Sequence, residues 1–416
     1  MTPSVHFRPL RPAVASDGAS TLDLLITVRS PEQAAASKKQ RPPLNLALVI
    51  DRSGSMAGRK LSNARKAARF LAGELITRDR LAIVAFDDEA QVVVPSTPVT
   101  DPQPFIAAIN TIHSGSSTAL FDGWLSGAMQ VAEHLDPTQL NRVLLLSDGQ
   151  ANQGLTNQKA IAAKVAGLTA RGISTSSFGL GDGFDEDLMG AIASSGDGTL
   201  AFIESPAQLA DLYTSEIQGL ASTHGKRVSI GIRTKNGAEL LDLLNDLEAT
   251  EQGNFQLPNL RAGQELNVGM RLQIPAWAPN QEIASVRLAW DAPGMGERLE
   301  LMAHLILPVI TAAELAGLDT DPAVAEQLAV LEANRARRRA IEQLDRGDIT
   351  GAELSLNGAS SLFSALPETE LMIRELKLLK EKQALLRQDR NLSRKRLNRE
   401  SLRSSNHVWE ESDGTI

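Results

Sequence analysis

The 416-residue chain contains no cysteine. That absence excludes a disulfide-stapled scaffold, thiolate zinc sites, iron–sulfur clusters and a cysteine nucleophile together. It leaves the compartment undetermined. Aromatic residues make up only 4%, with a single tyrosine, so aliphatic side chains and alanine must build the core. Positive charge is not in excess. The 42 Lys and Arg stand against 50 Asp and Glu, a formal net charge of −8, which argues against a globally basic nucleic-acid binder. Long apolar runs are also missing. The longest largely apolar stretch, Leu44 to Ile50, is far below the ~18 residues of a membrane span. The opening MTPSVHFRPLRPAV has no basic region followed by an apolar core, so no signal peptide is expected and a cytoplasmic protein is. Hydrophobic residues at 42% and charged residues at 22% describe a chain able to bury a sizeable core. At roughly 150 residues per domain, its length suits two or three domains.

Between about Leu44 and Leu220, apolar runs alternate with helix-period segments. LNLALVI (44–50) and RVLLLSD (142–148) are nearly unbroken apolar runs, the mark of strands buried on both faces. KLSNARKAARFLAGEL (60–75) and NQKAIAAKVAGL (157–168) carry helical spacing. The alternation predicts an α/β fold over 43–222, a doubly wound and mainly parallel sheet. In such sheets ligands sit beyond the carboxyl ends of the strands. The flanks, 1–42 and 223–310, read as alternating strand runs such as LDLLITV (22–28) and QELNVGMRLQIP (264–275). The N-terminal strands are too few to stand alone. The two flanks are therefore expected to form one all-β sandwich with the α/β domain inserted in it. Helical periodicity returns over 311–404. A helical hairpin is predicted from 323–348 and 349–365, then a long helix over 367–400 with basic last turns. Residues 405–416 form an acidic tail.

The chemistry concentrates where the first buried strand ends. Asp51-Arg52-Ser53-Gly54-Ser55 brings one carboxylate and two hydroxyls into a tight loop ahead of a helix, and Gly54 permits the unusual backbone angles such a loop needs. All three side chains offer hard oxygen, which suits a hard divalent cation. One carboxylate and neutral hydroxyls under-neutralise a 2+ ion, so the metal would seek an external carboxylate. Taken alone, Asp51 serves equally well as a helix N-cap, with Ser53 and Ser55 in turn hydrogen bonds. That reading does not account for two further segments at matching junctions. SGSSTAL (114–120) presents Thr118 before a helix, and RVLLLSDGQ (142–150) ends its buried strand in Asp148-Gly149.

On these three segments, residues 44–220 resemble a von Willebrand factor type A (VWA) domain with its metal-ion-dependent adhesion site. The resemblance implies that Asp51, Ser53, Ser55, Thr118 and Asp148 form the metal shell, Asp148 through a water. It implies Mg²⁺ as the ion, with Mn²⁺ or Ca²⁺ as alternatives, and a Glu or Asp of a partner protein as the last ligand. The flanks resemble those of bacterial intracellular multidomain members. Such members imply an adaptor role beside a MoxR-type AAA+ ATPase or a kinase–phosphatase set.

Other motifs carry less. Gly179-Leu180-Gly181-Asp182-Gly183 lacks the final glycine of a dinucleotide loop and reads as a tight turn. No GxxxxGK[ST] or GxSxG is present, and none of the six histidines has catalytic or metal spacing. An enzyme is therefore not expected, and a metal-dependent hydrolase is the weakest alternative. Asp122 reads as a structural residue of the helix after Thr118, and Arg52 and Met56, which flank the site, read as ligand contacts or equally as exposed or packing residues. The stretch 371–404 carries eleven Lys and Arg against four Asp and Glu. It is either a solvated helix end or a surface for an acidic partner, nucleic acid or a membrane. It lacks the interleaved aromatics of a single-strand binder.

Overall fold

The computed structural model describes residues 2–32, 42–148, 151–180, 184–203, 222–247, 249–250, 253–292, 297–364, 366, 369–386 and 397. The expected helix 206–220, the glycines at 181 and 183, the basic stretch beyond Leu386 apart from Leu397, and the acidic tail lie outside these residues. No helix among the described residues is long and apolar enough to cross a membrane.

Six strands form the α/β sheet in the order 90–98, 80–86, 44–51, 140–147, 173–180, 200–203. Five run parallel, and the edge strand Ala90–Pro98 lies antiparallel to Arg80–Phe86. All eight residues of the central strand, Leu44–Asp51, are buried. Successive side chains point to opposite faces, so one run feeds two cores. Leu44, Leu46, Leu48 and Ile50 pack with Leu61, Ala64, Ala68 and Leu71 of the helix Arg59–Glu74. Ala47 and Val49 pack with Leu120, Trp124, Ala128 and Val131 of the helix Leu120–Ala132. Each fully buried Leu or Ile is worth about 1.5–3 kcal/mol. The helix Leu120–Ala132 lies directly on the sheet because two of its residues are glycines. A Cβ at Gly123 would fall 2.4 Å from the Phe86 ring, and one at Gly127 would fall 2.3 Å from Val49. Asn45, buried within the central strand, is held through its amide nitrogen, while its Oδ1 has no hydrogen-bond partner among the described residues. Its amide donates to the carbonyls of Val131 and His134 and to Asn141 Oδ1.

The strand Ser20–Arg29, which precedes this domain, pairs antiparallel over its whole length with Glu265–Ile274, which follows it. Ser4–Pro9 and Glu239–Leu243 complete that sheet, and a second sheet of Phe255–Gln256, Thr223–Thr234, Ala284–Asp291 and Arg298–Leu305 faces it. Leu24, Ile26 and Val28 from one sheet share a core with Val228, Ile230 and Val286 from the other. The outer face of the first sheet is covered by the helix Pro322–Asp345, with Leu25 against Val324, Leu328 and Leu331. Arg335 of that helix forks to Asp242 and Asp246. The helices Ile349–Ser364 and Glu370–Leu386 pack on it in turn. Arg337, almost wholly buried between them, donates to Asn334 and Glu375.

The α/β domain meets the sandwich at the amino ends of its strands. Lys226 Nζ donates to the carbonyls of Pro137 (3.2 Å) and Gln139 (2.8 Å), and Arg227 donates to the carbonyl of Ala170 (2.8 Å). Asp197 lies in the same joint. Burial pushes its carboxyl up to about 6 from the usual 3.8, against the opposing pull of Arg142 and of hydrogen bonds from the Arg227 N–H and Asn259. The folded protein thus holds this proton more tightly than the unfolded chain. The stabilisation is complete below about pH 4 and is lost as pH rises through about 6. Asp197→Asn, which stays neutral, is expected to be more stable than the wild type in urea unfolding at pH 8, by about 3 kcal/mol. At pH 4 the difference is expected to vanish, and equal stabilities at both pH values would show that Asp197 does not titrate on folding.

Candidate functional site

The central strand and its neighbour Leu140–Ser147 lie where the winding of the sheet reverses. The chain moves from 44–51 outward to 80–86, and later returns to lay 140–147 on the other side. The seam between them opens at their carboxyl ends, the place where open α/β sheets bind ligands. Asp51 ends one strand and Asp148 follows the other.

Asp51 has no exposed surface, and Ser53, Thr118 and Asp148 are 1%, 4% and 5% exposed. Ser55 is exposed. Both oxygens of Asp51 are held. Ser147 Oγ donates to Oδ2 at 2.5 Å, and the Ser53 N–H donates to Oδ1 at 2.8 Å. The Ser53 and Ser55 hydroxyls lie 3.1 Å apart. Ser55 donates to Asp148 Oδ1 at 2.8 Å, and Lys60 Nζ lies 2.6 Å from Asp148 Oδ2. The loop carrying Thr118 is laced onto this turn. The Gly54 N–H donates to the Ser116 carbonyl (2.8 Å), and the Gly115 N–H donates to the Arg52 carbonyl (2.7 Å). Gly115 is required by this approach, since a Cβ there would fall 1.7 Å from Asp87 Oδ2. Asn152 fixes Thr118 from the far side. Its Oδ1 accepts from the Thr118 N–H at 2.9 Å, and its own N–H donates to the Thr118 carbonyl at 3.2 Å.

The structure therefore joins Asp51, Ser53, Ser55 and Asp148 in one hydrogen-bonded set and lays the Thr118 loop against it. Burial pushes the Asp51 carboxyl above its ordinary range. Hydrogen bonds from Ser147 and Ser53 pull it back, and the neighbouring negative charge of Asp148 adds to the rise. Two carboxylates and three hydroxyls, all hard oxygen, suit Mg²⁺ or another hard divalent ion. A cation between the two acids would relieve the burial that raises Asp51.

Several residues of the site escaped the reading of the sequence. Ser147 stands out as one hydroxyl in an apolar strand, yet its role depends on the strand beside it. Lys60, Asp87 and Asn152 carry no sequence signature. Arg52 pairs with Asp87 (3.0 Å) and Gln91 (3.2 Å) at the rim. Met56 is fully buried and belongs to the core. Asp122 is exposed in the first turn of its helix, where the helix dipole favours a negative charge.

The sequence profile of the von Willebrand factor type A domain matches residues 45–215. This segment is a VWA domain. The chain is 28% identical over 335 residues to the uncharacterized protein sll0103 of Synechocystis sp., covering 77% of this chain and 79% of that one. It is 28% identical to the uncharacterized protein YfbK of Escherichia coli, over 51% of this chain and 36% of that one. A solved VWA protein from Catenulispora acidiphila superposes with a TM-score of 0.70 over 97% of this chain and 96% of its own, at 16% identity. The ArnB paralog VWA2 from Sulfolobus acidocaldarius superposes at 0.64 over 97% and 99%, at 17% identity. At these identities the two structures bear on the fold, and they extend it beyond the VWA domain to nearly the whole chain.

Ser147→Ala leaves one oxygen of a buried carboxylate without its donor. The expected cost is about 1–3 kcal/mol, measured by urea unfolding at pH 7 in EDTA. An unchanged midpoint would mean that Asp51 tolerates its burial without Ser147.

Proposed function

We propose that the chain is a metal-dependent protein-binding module. Asp51, Ser53, Ser55, Thr118 and Asp148 would hold Mg²⁺, with Mn²⁺ or Ca²⁺ able to take its place, and an Asp or Glu of a partner protein would complete the shell. The observation that carries this reading is the hydrogen-bonded set of hard oxygens around the fully buried Asp51, at the carboxyl end of the sheet. VWA domains commonly mediate protein–protein interaction, which agrees with it. When bound, the ion supplies an electrophilic position for an external carboxylate. The chain's own residues do the rest. Ser147 and the Ser53 N–H orient Asp51, Ser55 orients Asp148, and the lacing of 52–54 to 115–116 keeps Thr118 at the site. The hydroxyls of the set are ligands and not bases, so the reading is of binding rather than catalysis. A charge-assisted contact of this kind, desolvated on docking, would anchor the complex.

The partner test uses the full chain as bait in lysate of its source cells, in Mg²⁺, in EDTA, and as the Asp51→Ala, Ser53→Ala double variant. A partner retained in Mg²⁺ and lost in both controls is the expected result. Its identity would distinguish an AAA+ ATPase from a kinase–phosphatase set. Partners unchanged by both controls would overturn the reading.

Lys60 supplies a second test. Its ammonium lies against Asp148 Oδ2, while Ser55 holds the other oxygen. Removing the charge takes away repulsion with an incoming divalent ion and leaves Asp148 oriented. Lys60→Met is therefore expected to bind Mg²⁺ about three- to tenfold more tightly by calorimetry. Weaker binding would mean that Lys60 positions Asp148 rather than opposing the ion.

A further inference from the structure

The end of the VWA domain opposite the oxygen set meets the β-sandwich across a solvent-open cleft of about 400 Å³. That volume lies within the range of small-molecule sites, which favour boundaries between domains. The VWA domain supplies one wall, from 135–142, 169–174 and Asp197, and the sandwich supplies the other, from 223–227, Asn259, Asp291, Ala292 and Arg298.

The cleft has an unusual charge balance for a protein of net charge −8. Five cationic side chains, Arg142, Arg171, Lys226, Arg227 and Arg298, line it with two carboxylates, Asp197 and Asp291. Asp291 is shared by Arg227 and Arg298. Much of the remaining hydrogen bonding is to neutral groups. Lys226 donates to the Pro137 and Gln139 carbonyls, Arg142 to the Ser174 and Ser176 hydroxyls and the Asp197 carbonyl, and Arg227 also to the Ala170 carbonyl. Arg171 is exposed at the rim and makes no ion pair among the described residues. Neutral acceptors orient cations without cancelling their charge, although Arg142 also acts on the Asp197 carboxyl. The cleft therefore keeps an excess of positive charge in a partly desolvated place, where that charge attracts anions more strongly than at a free surface. Burial raises the Asp197 carboxyl to about 6, which lessens the opposing negative charge further at mildly acid pH.

The backbone points the same way. Arg227 has φ +48°, an uncommon conformation for a non-glycine residue. It sits where the register of Thr223–Thr234 against Ala284–Asp291 shifts. Strain held at a bulge between two modules is a feature of ligand clamps.

We infer that this cleft binds a small phosphate-bearing metabolite, gripped by guanidinium groups from both modules, so that the ligand fixes the sandwich against the VWA domain. Guanidinium forks match phosphate oxygens in pairs. Among the described residues the lining holds no aromatic ring for stacking a nucleobase, and a sugar phosphate or short polyphosphate suits it.

The test titrates inorganic pyrophosphate into the full chain by calorimetry, at constant ionic strength and in EDTA. The Ser53→Ala, Ser55→Ala variant runs in parallel, so that a metal-bound anion at the other end cannot supply the signal. Saturable one-to-one binding is expected, equal in wild type and this variant. Arg171→Ala is expected to weaken it about tenfold, the loss of one charge-assisted contact. That variant should fold normally, because Arg171 is exposed and makes no ion pair among the described residues. Hydrogen exchange of residues 223–227 is expected to slow on binding. Absence of saturable binding up to 10 mM, a figure on the order of the weakest useful affinity, would overturn the inference. So would an affinity indifferent to Arg171→Ala. Either result would leave these cations as a clamp between the modules. Neither outcome touches the metal reading, which is tested at the opposite end.

Discussion

A carboxylate with no exposed surface stands at the end of the central strand, and the upper end of the VWA domain is arranged around it. Asp51 is buried because its strand is buried on both faces. A buried charge must be met by donors or by a cation. Ser147 from the neighbouring strand and the Ser53 N–H from the following turn meet it in part. The remaining demand is what a divalent ion would satisfy. The same burial that stabilises the sheet thus creates the chemical need at its edge.

Keeping the surrounding loops in place falls to residues with little chemistry of their own. Gly115 lets the Thr118 loop close onto Arg52 and Asp87. Gly123 and Gly127 let the helix after Thr118 lie flat on the sheet, so the position of Thr118 follows from packing several residues downstream. The glycines give up contact area and gain proximity, a trade that makes sense only where a neighbouring backbone must be placed closely.

The two ends of the VWA domain have different tasks. The carboxyl ends of the strands carry the hydrogen-bonded set of hard oxygens around Asp51. The amino ends meet the sandwich through Lys226, Arg227 and Asp197. The strands before and after the inserted domain pair directly with each other, so the chain leaves and re-enters the sandwich on one firm base. That base is further covered by the helix Pro322–Asp345 and its clamp of Arg335 on Asp242 and Asp246.

Local pattern made much of this readable. Unbroken apolar runs announced doubly buried strands, and alternating runs announced the sandwich, because the period of side-chain burial is set by backbone geometry alone. Asp51, Ser53 and Ser55 could be grouped because they share one turn. Thr118 and Asp148 were singled out by their junctions and joined to that turn by the resemblance, since nothing local says that loops about 65 and 95 residues away converge on it. Ser147, Lys60, Asn152 and Asp87 stayed invisible for the same reason: each acts on a residue distant in sequence, and an isolated Ser or Lys carries no periodic signal. The cleft between the modules was equally hidden, its walls being drawn from non-adjacent segments of the two modules. The sequence by itself determined which strands are buried and which side chains could ligate a cation, because both depend on residue type and short spacing. Only the tertiary structure decided which of those side chains meet, which neighbours hold them, and where two modules leave a cationic gap, because these depend on strand order and register across the whole chain.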